Sequence, residues 1–121
     1  MEKHLDNDCL FCKIIRAEIP SQKVYEDDFV LAFNDISPQA PVHVLIIPKQ
    51  HIPAANALDE TNSDVLPKMF AAANAIAREL KLDSGFRLVI NCGKDAGQTV
   101  FHLHMHLLGG APLCLNMGTA E

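Results

Sequence analysis

The chain has 121 residues, of which 49% are hydrophobic and 21% are charged, so it is long enough for one globular core and too apolar for a disordered protein. Its net charge of −5 argues against non-specific binding to nucleic acid, and no apolar run approaches the roughly 18 residues of a membrane span. The polar start lacks a signal sequence. We therefore expect a cytoplasmic protein with reduced cysteines that binds neither nucleic acid nor a membrane.

The first half of the chain predicts a short helix followed by three strands. Residues 9–20 have partial helical periodicity and end in a proline, which is expected to stop the helix. Residues 23–35 predict two strands around an acidic turn at Glu26–Asp28. After a loop with two prolines, residues 42–49 predict a buried strand.

The second half predicts one long helix and two further strands. The helix is expected from Ser63, which can cap it, to Leu82, with Gly85 at its C-terminal stop. A later start is the alternative, because Pro67 falls in or near the first turn. Its apolar side chains recur at helical spacing and should face the core: Met69, Ala73, Ile76 and Leu80. Residues 86–92 predict a strand, and the glycine-containing residues 93–99 turn the chain back. Strands joined by short turns, with helices segregated from them, predict an α+β domain with an antiparallel sheet.

Residues 100–110, VFHLHMHLLGG, place three histidines at every second position. Alternation with Leu and Met is typical of a strand, whose successive side chains point to opposite faces. His102, His104 and His106 should therefore share one face at intervals of about 6.6 Å, while the apolar residues face a core. An exposed polar strand face would not need three imidazoles, so we interpret them as metal ligands or catalytic groups.

Cys9 and Cys12 form a C-x-x-C motif, which has three interpretations. A thioredoxin-like redox motif should follow a strand, and only eight polar residues precede this one. A closed zinc site would need two more ligands, for which His51 and one histidine of residues 100–110 are available. The third interpretation is two reduced thiols without a ligand, and spacing alone leaves these last two open.

The remaining histidines suit phosphorus chemistry, because neutral imidazole is a good nucleophile. Attack on a phosphoryl group also needs donors around its non-bridging oxygens. Asn91 and the Gly97–Thr99 turn directly precede the histidine segment and could supply them. Without the histidines, the same turn would be interpreted as a plain connection.

Several blocks of the sequence together resemble the histidine-triad family of nucleotide hydrolases and transferases, in particular its Hint branch. The resemblance covers residues 9–111 and is carried by KIIRAEIP, YEDD, LAFNDISPQAPVHVLIIPKQHI and GFRLVINCGKDAGQTVFHLHMHLLGG. It implies a single domain over residues 9–111, between tails at residues 1–8 and 112–121. It also implies a five-stranded antiparallel sheet with one long and one short helix, paired in a homodimer into a ten-stranded sheet.

The resemblance assigns roles to the matching residues. His104 would be the nucleophile that forms a nucleotidylated-histidine intermediate, and His43 would support the histidine network. The phosphate would be held by the groups around the nucleophile: Asn91, Gly97, Thr99, Val100 and His106. Asp35 would accept hydrogen bonds from both ribose hydroxyls. The purine would be enclosed by four apolar side chains: Phe11, Ile14, Phe33 and Ile36.

The resemblance also implies a metal site. In a related family, the hexose-phosphate uridylyltransferases, a C-x-x-C motif joins a distal histidine and the first histidine of the catalytic motif on zinc. The matching residues here are Cys9, Cys12, His51 and His102, which would bind one structural zinc ion per chain. Many Hint members lack these cysteines.

Three functions are compatible with the sequence. The leading hypothesis is a purine nucleoside phosphoramidase that cleaves P–N bonds of adenosine or guanosine phosphoramidates or aminoacyl adenylates. A dinucleoside polyphosphate hydrolase is the alternative enzyme, although LLGG replaces the proline-containing continuation of that branch. A non-catalytic nucleotide-binding adaptor would not need the middle histidine. The C-terminal tail lacks the Trp-Pro-Pro of animal Hint proteins, so the resemblance implies no leaving-group preference.

Overall fold

The computed structural model describes residues 8–119, so nearly all of the predicted N-terminal tail lies outside the described residues. The elements follow in the order α1 (Leu10–Ile15), β1 (Lys23–Glu26), β2 (Val30–Asn34), β3 (Val42–Pro48), α2 (Val65–Glu79), β4 (Phe86–Val89) and β5 (Met105–Gly109). The strands form a five-stranded antiparallel sheet in the order β1-β2-β3-β5-β4. The predicted α+β architecture with one short and one long helix is confirmed. None of the helices within residues 8–119 is long and apolar enough to cross a membrane.

The two helices cover different sets of buried side chains. Met69, Ala73 and Ile76 of α2 belong to the larger core, as predicted. Leu103, Met105 and Leu107 contribute to the same core. On α1, Phe11 and Ile14 form a second cluster with apolar side chains of β2 and β3: Leu31, Phe33, Leu45 and Ile47. Residues 103, 105 and 107 therefore pack with α2, which leaves the intervening histidines for the side of the sheet that α1 covers.

Helix α1 ends at Ile15, well before Pro20, so the predicted stop signal was wrong. Ala17 adopts a left-handed conformation with φ 62°. The N–H of Glu18 then donates to the carbonyl of Lys13 at 2.8 Å, which satisfies a carbonyl that the helix end leaves unpaired. Alanine is uncommon in this conformation, and the sequence therefore carried no signal for this helix end.

Both predicted ends of α2 also need correction. The N-cap is Asp64 rather than Ser63, and the helix ends at Glu79 because Lys81 takes φ 58°. The N–H of Leu82 donates to the carbonyl of Ala77 at 2.9 Å, so the helix closes before Gly85 is reached. Leu80 lies beyond the last turn and is 40% exposed, so it does not belong to the core stripe.

Strand β5 begins only at Met105, so the predicted strand over residues 100–110 was too long. Continuing the register of β3 and β5 would place Pro48 opposite Leu103, and proline has no N–H to donate to the ladder. The N–H of Leu103 instead donates to the carbonyl of Ile52 at 2.6 Å. Similarly, β4 ends at Val89 rather than at residue 92. The histidine segment thus leaves the sheet next to the chain that follows β3.

Candidate active site and metal centre

The side chain of His104 is held in one tautomer by the backbone. Its Nδ1 lies 2.7 Å from the carbonyl oxygen of His102, which can only accept, so Nδ1 carries the proton. In the neutral form of the ring, the opposite nitrogen, Nε2, then keeps its lone pair. The residue is 8% exposed, and the Phe11 ring meets the imidazole edge-on with 5.2 Å between centroids. His104 is therefore a buried and oriented imidazole whose Nε2 is the nitrogen that can act as a nucleophile.

A chain of hydrogen bonds fixes His43 and His106. The backbone N–H of Gln39 donates to His43 Nδ1 at 3.0 Å, so His43 carries its proton on Nε2. That nitrogen lies 2.9 Å from His106 Nδ1, which must accept, so His106 carries its own proton on Nε2. The Oδ2 of Asp35 lies 3.5 Å from His43 Nε2. The predicted supporting role of His43 thus has a direct geometric basis.

His106 is placed to donate a hydrogen bond to an anion without itself being charged. Burial, above all, and the neighbouring His104 and His43 lower the pKa of His106 to about 4, against the opposing effect of Asp35. The rings of His104 and His106 meet edge to face with centroids 5.2 Å apart. The proposed nucleophile and a neutral hydrogen-bond donor are therefore neighbours.

A cavity of about 510 Å³ opens beside this group. It is lined by Ile14, Pro20, Ser21, Gln22, Phe33, Asn34, Asp35 and Ile36. Asp35 is held in place because its N–H donates to the His43 carbonyl at 2.9 Å, and its Oδ1 accepts from the Ser37 N–H at 2.8 Å. Ile36 is 99% exposed and lies at the solvent side of the cavity. Phe11 does not line the cavity but contacts Phe33, with ring centroids 5.6 Å apart. Four of the five residues predicted for the base and ribose thus line one cavity.

The predicted phosphate-binding residues lie on the chain that leads into the histidines. Gly97 has φ 85°, a conformation that favours glycine, and Thr99 is exposed. Asn91 and Val100 are half-buried. The contacts of these residues with a phosphate stay a prediction.

One residue that organises this segment, Gln98, was missed by the sequence analysis. Its side chain is 5% exposed although it lies in a polar loop. Its Oε1 accepts from the Gly93 N–H at 2.9 Å, and its Nε2 donates to the carbonyls of Pro53 and Val100 at 2.9 and 3.0 Å. Nothing in the sequence distinguishes a buried glutamine here from an exposed one.

Cys9, Cys12, His51 and His102 come together into one cluster that is positioned to bind a metal ion. Cys9 caps α1, since its Sγ accepts from the Cys12 N–H at 3.3 Å, and this places both thiols on the same side. The four ligand atoms, one from each residue of the cluster, lie within 4.8 Å of one another. The position that the sequence left open among the three histidines is occupied by His102.

The interatomic distances fit a tetrahedral ion. Bond lengths of about 2.3 Å to sulfur and about 2.0 Å to nitrogen imply sulfur–nitrogen edges of about 3.5 Å and nitrogen–nitrogen edges of about 3.3 Å. The nitrogen–nitrogen separation from His51 to His102 is 3.3 Å, and the sulfur–nitrogen separations are 3.3 Å for Cys9–His102, 3.3 Å for Cys12–His51 and 3.5 Å for Cys12–His102. His102 Nε2 donates to the Pro48 carbonyl at 2.9 Å, which leaves Nδ1 unprotonated toward the cluster. Burial also lowers the pKa of His102 to about 4, so the ring is neutral, as a metal ligand must be.

Comparison with known proteins decides the family. The sequence profile of the HIT domain matches residues 16–113, which is most of the chain. The chain belongs to the HIT family. Its histidine segment is the histidine triad predicted from the sequence, and the C-x-x-C motif lies just before the matched residues.

Curated relatives cover most of this HIT protein. The purine nucleoside phosphoramidase of Escherichia coli K12 is 50% identical over 105 residues, which is 86% of this chain and 88% of that protein. An uncharacterized HIT-like protein of Synechocystis is 52% identical over 105 residues, covering 87% of this chain and 92% of that one.

Solved HIT structures have the same fold. A HIT family hydrolase from Clostridium thermocellum superposes with a TM-score of 0.90 at 50% identity, covering 93% of this chain and 98% of that chain. A histidine triad protein from Clostridium difficile gives a TM-score of 0.90 at 47% identity over 97% of this chain and all of that one.

Proposed function

We propose that this HIT protein is a purine nucleoside phosphoramidase, which hydrolyses the P–N bond of adenosine or guanosine 5′-phosphoramidates, or the P–O bond that joins phosphate to the carboxyl group in aminoacyl adenylates. The observation that carries this proposal is the 2.7 Å hydrogen bond from His104 Nδ1 to the His102 carbonyl, because it leaves a nucleophilic Nε2 in a buried site. The identity of 50% to a protein named purine nucleoside phosphoramidase supports the choice of substrate class.

In the proposed reaction, His104 Nε2 attacks the phosphorus and the P–N bond breaks, so that a nucleotidyl-His104 intermediate forms. The leaving nitrogen takes up a proton from solvent and departs as the amine, and the water that later attacks the intermediate returns a proton to solvent. The His102 carbonyl stabilises the positive charge that the ring acquires, since it accepts from Nδ1. The Nε2–H of His106, oriented through His43, would donate to a non-bridging oxygen. Water then attacks the phosphorus, releases the nucleoside monophosphate and restores His104.

We place the nucleoside in the 510 Å³ cavity, with the base against Ile14, Phe33 and the exposed Ile36. Phe11 would contribute from behind Phe33 by keeping both Phe33 and His104 in place. The ribose would lie at Asp35, whose carboxylate is at the cavity wall and can accept from two hydroxyl groups. Asn91, Thr99 and the backbone of Gly97 and Val100 would complete the phosphate site.

Replacing Asp35 with asparagine is expected to raise KM for ribonucleotide substrates by about tenfold and for 2′-deoxy analogues much less, because a hydrogen bond to a charged acceptor contributes about 1.5–3 kcal/mol. The measurement is KM for an AMP phosphoramidate and for its 2′-deoxy analogue. Asp28→Asn, at an exposed carboxylate outside the cavity, is the matched control and should change neither value. Equal increases for both sugars would remove Asp35 from the ribose site.

We also propose that the metal in the four-ligand cluster is zinc, with one structural ion per chain. Two thiolates and two imidazoles form a common closed zinc site, and such a site has no open position for substrate. When bound, zinc would supply cross-linking between the start of α1, the segment after β3 and the triad. Because His102 is both a ligand and the acceptor for His104 Nδ1, the metal site would hold the nucleophile indirectly.

The activity is tested by steady-state turnover of AMP and GMP phosphoramidates with different amine leaving groups, beside a diadenosine polyphosphate. The proposal expects faster turnover of at least one phosphoramidate. Preference for the diadenosine polyphosphate would favour the alternative hydrolase. Tight nucleotide binding without turnover of any of these compounds would favour a non-catalytic adaptor.

Three further assignments from the sequence stay predictions: the homodimer with a ten-stranded sheet, the cytoplasmic location, and the domain boundaries at residues 9 and 111. The homodimer is supported by two features of the described residues. Strand β4 lies at an edge of the sheet, and Phe70 on α2 is 46% exposed.

A further inference from the structure

The buried side chain of Gln98 joins both ends of its own loop to the segment that follows β3. Its amide accepts from the Gly93 N–H, which follows β4, and donates to the Pro53 carbonyl, which follows β3, and to the Val100 carbonyl. Its own backbone N–H donates to the Gly93 carbonyl at 3.1 Å. Both amide hydrogens and the amide oxygen are therefore used, so the side chain has one orientation.

These bonds close the loop of residues 93–100 on itself. Gly93 and Gly97 have φ angles of 87° and 85°, in a region that other residues rarely adopt, so the backbone of this loop is specified at both glycines. The bond from Gln98 Nε2 to Val100 spans Thr99, whose own side chain is exposed. Gln98 thus determines where Thr99 and the backbone of Val100 lie relative to the histidines.

We propose that Gln98 is a positioning residue for the substrate's phosphate: it holds the loop of residues 93–100 as a preformed phosphate-binding loop, without touching the substrate itself. This inference rests on the proposed function, in which Thr99 and the backbone of Gly97 and Val100 contact the phosphate. Its consequence is specific, since loss of the Gln98 bonds weakens interactions with the phosphate and leaves the nucleoside cavity intact. None of the residues that line that cavity bonds to Gln98.

The test compares binding of AMP and adenosine to the full-length wild-type protein and to Gln98→Met, which keeps the side-chain length and removes all three amide bonds. We expect the AMP dissociation constant to rise about tenfold or more and the adenosine constant to stay within about twofold, because the variant lacks every side-chain hydrogen bond that holds this loop through Gln98. Titration calorimetry measures both, and Gln50→Met, at an exposed glutamine, is the matched control. Gln98→Glu, which keeps only the acceptor for Gly93, should show the same selective loss.

If Gln98→Met weakens the binding of AMP and of adenosine equally, or weakens the binding of neither, the inference is overturned. If both Gln98 variants fail to fold, hydrogen exchange of the wild-type protein decides. AMP should then slow exchange within residues 93–100 more than adenosine does, and equal protection by both ligands would overturn the inference. Wild-type protein that binds AMP but cleaves no phosphoramidate would contradict the proposed function and leave the test of Gln98 in force.

Discussion

Replacing His104 with alanine is expected to abolish phosphoramidate turnover, with kcat reduced by several orders of magnitude, because removing a covalent nucleophile eliminates the reaction path. AMP binding and the fold should survive, since the cavity that we assign to the nucleoside is lined by residues from α1, β2 and the segments next to them. The measurement is single-turnover cleavage of an AMP phosphoramidate, with circular dichroism and AMP titration as controls. In acid-quenched wild-type protein, mass spectrometry should detect a nucleotidyl group on His104 that the alanine variant lacks.

A variant that keeps more than about a tenth of the wild-type kcat would contradict the nucleophile assignment, because that loss corresponds to only about 1.4 kcal/mol. A nucleotidyl group trapped on His106 instead would reassign the nucleophile to the neighbouring ring. The two histidines differ in a way that the structure makes explicit. His104 offers an unprotonated Nε2, whereas the Nε2 of His106 carries the proton because its Nδ1 accepts from His43.

The second large effect concerns the metal. Purified protein is expected to contain one zinc ion per chain. Cys9→Ser or Cys12→Ser should release this ion and lower Tm by at least about 10 °C. The reason is that apparent zinc-binding free energies of about 10–16 kcal/mol contribute to folding, and in a domain of this size each kcal/mol shifts Tm by about 4 °C. Elemental analysis and thermal unfolding measure the two quantities. Cys114→Ser, at an exposed cysteine outside the cluster, is the matched control and should keep both values.

Activity should fall in the cysteine variants only indirectly. Without the metal, the His102 carbonyl is held less firmly, and the His104 side chain that donates to it is therefore less well oriented. Absence of zinc from protein prepared without chelators would contradict the assignment of the metal as zinc. Zinc that stays bound after both cysteines are replaced would place it at another site. Loss of activity on mild zinc removal, with Tm unchanged, would point to a catalytic rather than a structural ion.

The alternation of His102, His104 and His106 with apolar residues predicted their side of the chain correctly, because the period of the pattern alone determines which side chains share a face. The same pattern did not predict where β5 begins. That depends on Pro48, which cannot donate to the ladder, in a strand more than 50 residues away along the chain.

The helices also show one property that the sequence predicted, their existence, and one that it did not, their C-terminal ends. Apolar periodicity in the sequence predicts both α1 and α2. The C-terminal ends predicted at Pro20 and Gly85 lie earlier in the structure, at left-handed Ala17 and Lys81. These residues have no intrinsic preference for that conformation. The packing of the helices against the sheet determines where the chain must turn away.

The sequence by itself determined the α+β class, the C-x-x-C motif, the histidine triad and, through resemblance, the residues proposed for the site. Only the tertiary structure decided that the ligand atoms of the predicted metal site lie close together, that His104 Nδ1 donates to the His102 carbonyl, and that Gln98 is buried. Each of these depends on a backbone carbonyl or N–H brought near by the fold: the carbonyls of Pro48, His102, Pro53 and Val100 and the N–H of Gly93. Every residue type except proline presents the same backbone N–H and carbonyl groups, so their positions leave no trace in the order of side chains.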